Sequence, residues 1–246
     1  MGRVRTLAIA RTAVYAAAVC AFALVTTGCG SSGDTGSDAD PIELGALGAV
    51  VPAAPVTVPP FTDADTLALR LLGEDDLPAG MVAAYDPADE STRPASVPAP
   101  TTPAGCGKVL MALGYQRPEA LTWTGVAYEG PEFAGIDIDA ASYAEVGPAF
   151  TAVQQTLHNC TEYFGEDSED TRIDYRLGAL DQPPAGDAST SFQLWMTSEG
   201  ATLVAQATLV QVGATLVQIS VTAPEASDPA LLAELTAAQV RALRGA

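Results

Sequence analysis

Six stretches of the chain alternate apolar and polar residues or are rich in β-branched side chains, which is the pattern of strands. They are Leu121–Tyr128, Gly135–Ser142, Arg172–Leu177, Phe192–Thr197, Leu203–Val212 and Thr215–Thr222. In the second, Ile136 and Ile138 face one way and Asp137 and Asp139 the other. In the third, Ile173, Tyr175 and Leu177 share a side. Val212-Gly213-Ala214 reads as a hairpin turn between the last two. Two further stretches have helical spacing. From Glu145 to Asn159, Val146, Phe150, Val153 and Leu157 form one stripe. From Asp228 to Leu243, Asp228 is placed to cap, Pro229 sits in the first turn, and Leu231, Leu235, Ala238 and Leu243 form the buried face. A short helix is expected after Thr62 as N-cap, with Asp63 and Asp65 at its positive end, Leu67, Leu71 and Leu72 on one face and Gly73 ending it. Another short apolar helix is expected from Cys106 to Leu113. Strands interleaved with a few helices predict an α+β domain, a single antiparallel β-sheet packed by helices, over residues 62–246. About 185 residues is enough for one good core.

The pattern changes before residue 62. Arg3, Arg5 and Arg11 precede an uncharged, mostly apolar run of 16 residues, Thr12–Thr27, and then Gly28-Cys29. This is the tripartite order of an export signal, and the run is short for a spanning helix. Val25-Thr26-Thr27-Gly28-Cys29 resembles a lipobox, the processing signal of bacterial lipoproteins. It departs from the usual pattern at Thr26, where Leu is the rule. The resemblance implies a signal peptide over 1–28, and a diacylglyceryl group with palmitate-like chains on Cys29. Two acyl chains hold a protein stably on a membrane. The partner at this end would be the membrane, through lipid on Cys29, and the location the extracytoplasmic side of the cell membrane. An ordinary secretory signal and an uncleaved anchor helix are the other readings of the segment. Cys20, inside the apolar run, would be removed with it.

Residues 29–61 are rich in Gly, Ser, Ala and Pro and read as a flexible, disordered linker. Extended, residues 30–60 could reach about 100 Å. Leu77-Pro78-Ala79-Gly80-Met81 reads as a turn into an extended segment, and the Pro- and Ala-rich run 86–105 as a disordered surface loop.

Composition narrows the partners. The formal charge is −19. Loss of the three leader arginines leaves 8 basic and 30 acidic residues, a net of −22. Such a surface excludes nucleic acid and disfavours direct docking on anionic lipid. An excess of arginine over lysine and abundant alanine suggest a GC-rich genome, such as that of an actinobacterium.

Cys106 and Cys160 are the cysteines left after Cys29. An exported domain permits disulfides, and two cysteines allow one intramolecular bond. It would close a loop of about 55 residues, worth roughly 4 kcal/mol on the chain-entropy model.

Candidate chemistry is sparse. His158 stands alone as a histidine, without a GxSxG element, and lies two residues from Cys160, on a different helix face. Glu166, Asp167, Glu169 and Asp170 form an acidic run that lacks EF-hand spacing. Asp137 and Asp139 could act as paired carboxylates but read more simply as the wet side of a strand. No phosphate-binding or dinucleotide fingerprint is present. Trp123, Tyr128, Phe133, Tyr143, Tyr163, Phe164 and Trp195 are expected mostly in the core. These observations imply no catalytic residue, no metal, no cofactor and no identifiable ligand-binding residue.

Leu71-Leu72-Gly73, Leu77-Pro78-Ala79-Gly80, Cys106-Gly107, the helix ending in Cys160 and the closing hairpin before a terminal helix resemble the extracytoplasmic sensor-type domains of actinobacteria. These occur as stand-alone lipoproteins and as the outer domains of some transmembrane Ser/Thr protein kinases. The kinase-type domain carries two disulfides, and this chain can form one. The resemblance implies a non-enzymatic lipoprotein domain that binds an envelope ligand or protein partner. The alternative is a carrier or chaperone for lipid or another apolar molecule, which needs a large apolar cavity. A hydrolase with an unrecognised site is the third reading.

Overall fold

The computed structural model describes residues 43–84, 100–117, 119–167 and 169–245. The strand pattern develops into one nine-stranded sheet: β1 (Val82–Ala83), β2 (Thr101–Thr102), β3 (Thr122–Glu129), β4 (Gly135–Ser142), β5 (Glu162–Glu166), β6 (Arg172–Ala179), β7 (Ala188–Ser198), β8 (Ala201–Val212) and β9 (Thr215–Ala223). Their order is β1-β3-β4-β9-β8-β7-β6-β5-β2, and every pairing is antiparallel. The helices are α1 (Ala64–Ala68), α2 (Leu113–Gln116), α3 (Val146–Asn159) and α4 (Pro229–Arg244). After the β3–β4 hairpin, α3 carries the chain across the sheet. The meander β5 to β9 then walks back until β9 pairs with β4. The expected α+β class with one antiparallel sheet and one disulfide is what the chain adopts.

Side-chain alternation assigns the faces. On one, Ile136, Ile138, Val217, Ile219 and Val221 pack with Leu67 of α1 and with Leu232, Leu235, Val240 and Leu243 of α4. On the other, Ala141, Leu209 and Leu216 lie under Leu113 of α2 and under Val146, Phe150 and Val153 of α3. Further along that face, Phe192, Leu194, Ala205 and Ala207 pack with Val109 and the Cys106–Cys160 pair. The α3 stripe is the expected one. That of α4 is rotated: Leu232, Thr236, Gln239 and Val240 are buried beside Leu235 and Leu243, while Leu231 and Ala238 are only partly covered. The turn β8–β9 places Gly213 at φ 59° with Val58 against it, so a Cβ there would lie 2.8 Å from the Val58 Cβ.

Several local expectations are corrected. Helix α1 is capped by Asp63, not Thr62, because the Asp63 carboxylate accepts from the Thr66 N–H and hydroxyl at 2.8 and 2.6 Å. The Cys106–Leu113 helix is instead a 3-10 turn over Ala104–Lys108, followed by α2. Strand β5 is hidden by its composition: Glu162 on one side and Gly165 and Glu166 on the other flank Tyr163 and Phe164. Of the run 86–105, residues 86–99 lie outside the described residues, while Thr101–Thr102 pair with Gly165 and Phe164 as the edge strand β2.

The largest departure lies in the expected linker 29–61. Residues 29–42 lie outside the described residues, but 43–61 form a strap laid on the domain. Gly45 O accepts from the Ala179 N–H at 2.8 Å. The Gln154 amide accepts from the Val51 N–H at 2.7 Å and donates back to Val51 O at 3.0 Å. Gln211 does the same to Ala54 at 2.8 and 2.9 Å. Phe61 N–H then donates to Ser142 Oγ at 2.9 Å. A primary amide carries the same donor and acceptor as a peptide group, so each glutamine replaces one rung of a β-ladder. Both are almost wholly buried, and leaving either amide unpaired would carry a desolvation cost. A third pair, Gln239 with Leu72 N–H and Arg70 O, fixes the chain after α1.

Candidate functional site

Cys29 lies outside the described residues. Cys106 and Cys160 are joined in a disulfide. Both are buried against Val109, Leu157, Tyr163 and Ala205, so the bond staples the 3-10 turn to the end of α3 inside the core.

Asp137 is exposed and Asp139 half-buried, as expected of the wet side of a strand. They share their side of β4 with Ala141, which is covered by α2 and α3. Register places Ser220 directly across from Asp137 and Gln218 across from Asp139. On β3, the residues opposite are Ala127 and Gly125. A Cβ on Gly125 would fall 2.2 Å from Asp139 Oδ1, so the glycine makes room for that carboxylate over the neighbouring strand. The Asp137 residue reaches solvent, yet surrounding protein reduces its hydration and raises its pKa. A hydrogen bond with Ser220 acts in the opposite sense. Gln218 is 2% exposed, and its Oε1 has no hydrogen-bond partner among the described residues. Tyr115 and Trp123 pack with ring centroids 4.7 Å apart on the same side, and Gly114 fits against the indole, where a Cβ would come within 2.2 Å of Trp123 Cγ.

His158 is exposed in the last turn of α3. It lines a recess of about 380 Å³ with Glu162, Arg176, Leu177 and the strap residues Leu44 to Leu47. Arg176 and Glu162 are cross-strand neighbours, with Nε 3.8 Å from Oε1. Sequence spacing could not assemble this recess, because the strap was read as a linker.

The acidic run resolves into a turn. Asp167 Oδ1 accepts from the N–H groups of Glu169 and Thr171 at 2.8 and 2.9 Å, and these bonds lower its pKa. That carboxylate is committed to its own backbone. Among the described residues, no three His, Cys, Asp or Glu side chains gather where a metal ion could be held. Of the aromatic residues, Tyr128, Tyr143 and Tyr163 are buried, and Trp123, Phe164 and Trp195 are half-buried. Phe133 departs from the core expectation: it is 83% exposed in the turn before β4, with φ 62° following Glu132 at φ 56°.

No family model matches the sequence, and no curated protein is similar to it. Among solved structures, the extracellular domain of PknH from Mycobacterium tuberculosis is similar at a TM-score of 0.54 and 13% identity, over 76% of this chain and 98% of that one. An uncharacterised protein from Mycobacterium smegmatis is similar at a TM-score of 0.37 and 12% identity, over 70% and 93%. The first shows a shared fold. The second, at that score, carries no argument. Among the described residues, no helix is long and apolar enough to cross a membrane.

Proposed function

We propose that the chain is an envelope lipoprotein, anchored through lipid on Cys29, whose domain is a non-enzymatic, ligand- or partner-binding sensor domain on the extracytoplasmic side. The observation that carries this reading is the fold shared with almost the whole of an extracellular domain, that of PknH. The buried disulfide supports an oxidising compartment. The lipobox-like end of the apolar leader supports the anchor. The strap-lined recess at His158 is a concave place where a small polar ligand could be held.

The strap alters the geometry of the anchor. With residues 43–61 bound to the domain, only 13 residues, 30–42, separate Cys29 from it. Their greatest extension is about 45 Å, against about 100 Å for a free linker. The carrier reading finds less support, because both faces of the sheet are filled by packed clusters of side chains.

Labelling with a radioactive fatty acid tests the anchor: wild type should incorporate label and Cys29→Ser should not, and equal labelling of both would refute it. Native mass spectrometry of the protein recovered from its host tests the domain. A bound small polar molecule or a partner of defined mass and stoichiometry supports the sensor reading, and a stoichiometric lipid would overturn it in favour of the carrier.

A further inference from the structure

We propose that the recess between the strap and the β5–β6 hairpin binds a small zwitterion with an apolar side chain, an α-amino acid or its close analogue, and that its occupancy holds the strap on the domain. This deepens the ligand-binding reading and rests on it.

The chemistry follows from the lining. Arg176 and His158 bring two basic groups together in a mature chain that holds only eight arginines and lysines. Glu162 supplies an opposite charge on the same rim. The Arg176–Glu162 contact, at 3.8 Å, is longer than a direct hydrogen bond, and both side chains are substantially exposed. The guanidinium carries five donors, and this contact leaves most of them available. A carboxylate can bind the Arg176 and His158 side while an ammonium pairs with Glu162. A singly charged ion would satisfy one side and meet repulsion from the other. Beside Thr161, the rest of the lining is small or apolar: Gly45 and Ala46, with Leu177 4% exposed and Leu44 and Leu47 half-buried from the strap side. A volume of about 380 Å³ suits one amino acid.

The site exists only while the strap is docked, because Leu44 to Leu47 form one wall. The strap there is held lightly. Among the described residues, its N-terminal end makes one ladder bond, from Ala179 N–H to Gly45 O, and the next hydrogen bond is that of Val51 to Gln154, with Leu47 packed on the core between them. The opposite wall is rigid, since α3 ends at the disulfide-bonded Cys160 and Leu177 N–H donates to Thr161 O. A ligand that touches both walls must stabilise docking by the same free energy that docking adds to binding. Occupancy would thereby shorten the connection between domain and anchor, which gives a sensor a mechanical output.

The test uses the chain as recovered from its host, lipidated or not, so that failure of the anchor leaves the result interpretable. L-leucine is titrated by calorimetry, with acetate and butylamine as the two half-charged controls. Amide exchange of residues 44–47 is followed in parallel. The expected result is saturable leucine binding, at least about tenfold weaker with either control, slower exchange of the 44–47 amides with leucine, and loss of about tenfold or more in affinity in Arg176→Gln. Arg176 and Glu162 are surface residues, so their variants should fold. The exchange measurement on the wild type needs no variant. No leucine binding in the millimolar range, binding unchanged in Arg176→Gln and Glu162→Gln, controls that bind as well as leucine, or binding without slower strap exchange would each overturn the proposal.

Discussion

The β8–β9 hairpin and the strap over 43–61 are both extended chain, but they are held by opposite means. In the hairpin, nearly every residue from Val204 to Val221 is buried, and the backbone is paired on both sides, with β7 and with β4. Apolar burial and a continuous ladder stabilise it together. The strap is mostly exposed, and its two central contacts are main-chain hydrogen bonds to the amides of Gln154 and Gln211. The difference shows that a segment can be ordered with only partial burial of its side chains, here Leu47, Val51, Ala53 and Phe61, provided buried polar groups elsewhere bind its backbone. Without the strap, the Oε1 of each glutamine would lose the donor it has here, while Nε2 keeps a carbonyl of the domain, Phe150 O for Gln154 and Gly213 O for Gln211.

The comparison predicts unequal responses. Ile219→Ala, at a fully buried site in the hairpin, should lower global stability by about 2–5 kcal/mol in denaturant unfolding. A change within a few tenths would show that the hairpin is not the centre of the core. Gln211→Ala should cost less, about 1–3 kcal/mol, since it removes the three bonds of a wholly buried amide, two to Ala54 and one to Gly213 O, and strands the Ala54 backbone. Its distinguishing mark is accelerated exchange at Ala54, with the β8–β9 amides still protected. If strap and hairpin amides accelerate together, the two regions form one cooperative unit and the contrast fails.

Gly178→Ala should act on the strap alone. Its Cβ would lie 2.5 Å from Leu44 Cβ and 2.8 Å from Gly45 O. Limited proteolysis should cut residues 43–48 faster while thermal stability changes by about 1 kcal/mol or less. The smallest effect is expected at Asp137. Its pKa is raised in the fold, by reduced hydration against the Ser220 hydrogen bond, so the folded state holds the proton more tightly than the unfolded chain does. Stability from this group is therefore greatest at low pH and declines as pH rises from the unfolded carboxylate range through the raised folded value. Asp137→Asn should unfold at a slightly higher temperature than wild type at neutral pH, and the gap should close in acid. A gap that widens in acid would mean that the carboxylate is favoured in the fold.

The elements legible in the sequence were those whose burial is periodic. Ile136 and Ile138 marked β4, the stripe Val146, Phe150, Val153 and Leu157 marked α3, and Val212-Gly213-Ala214 marked the hairpin. Strand β5 was missed because its exposed positions are glutamates, so that Glu162 and Glu166 blend into the acidic turn that follows. The rotation of the α4 stripe was missed because Thr236 and Gln239, polar by type, are buried by position. Asp137 and Asp139 were legible as residues on one side of β4, but the packing of α2 and α3 over Ala141 further along that side was not.

The sequence by itself determined the class of fold, the strand and helix segments with strong periodicity, and the pairing of Cys106 with Cys160, which followed from there being two cysteines in the domain. These depend on local spacing, composition and counting. Only the tertiary structure decided the fate of residues 43–61, and with it the recess at His158. Gln154 and Gln211 lie about a hundred or more residues from the backbone groups they bind, at separations of 103 and 157. A Gly-, Ala- and Pro-rich segment carries no periodic mark of what will bind it. Its order is written in two distant glutamines, whose buried amides need partners that only the folded chain can bring to them.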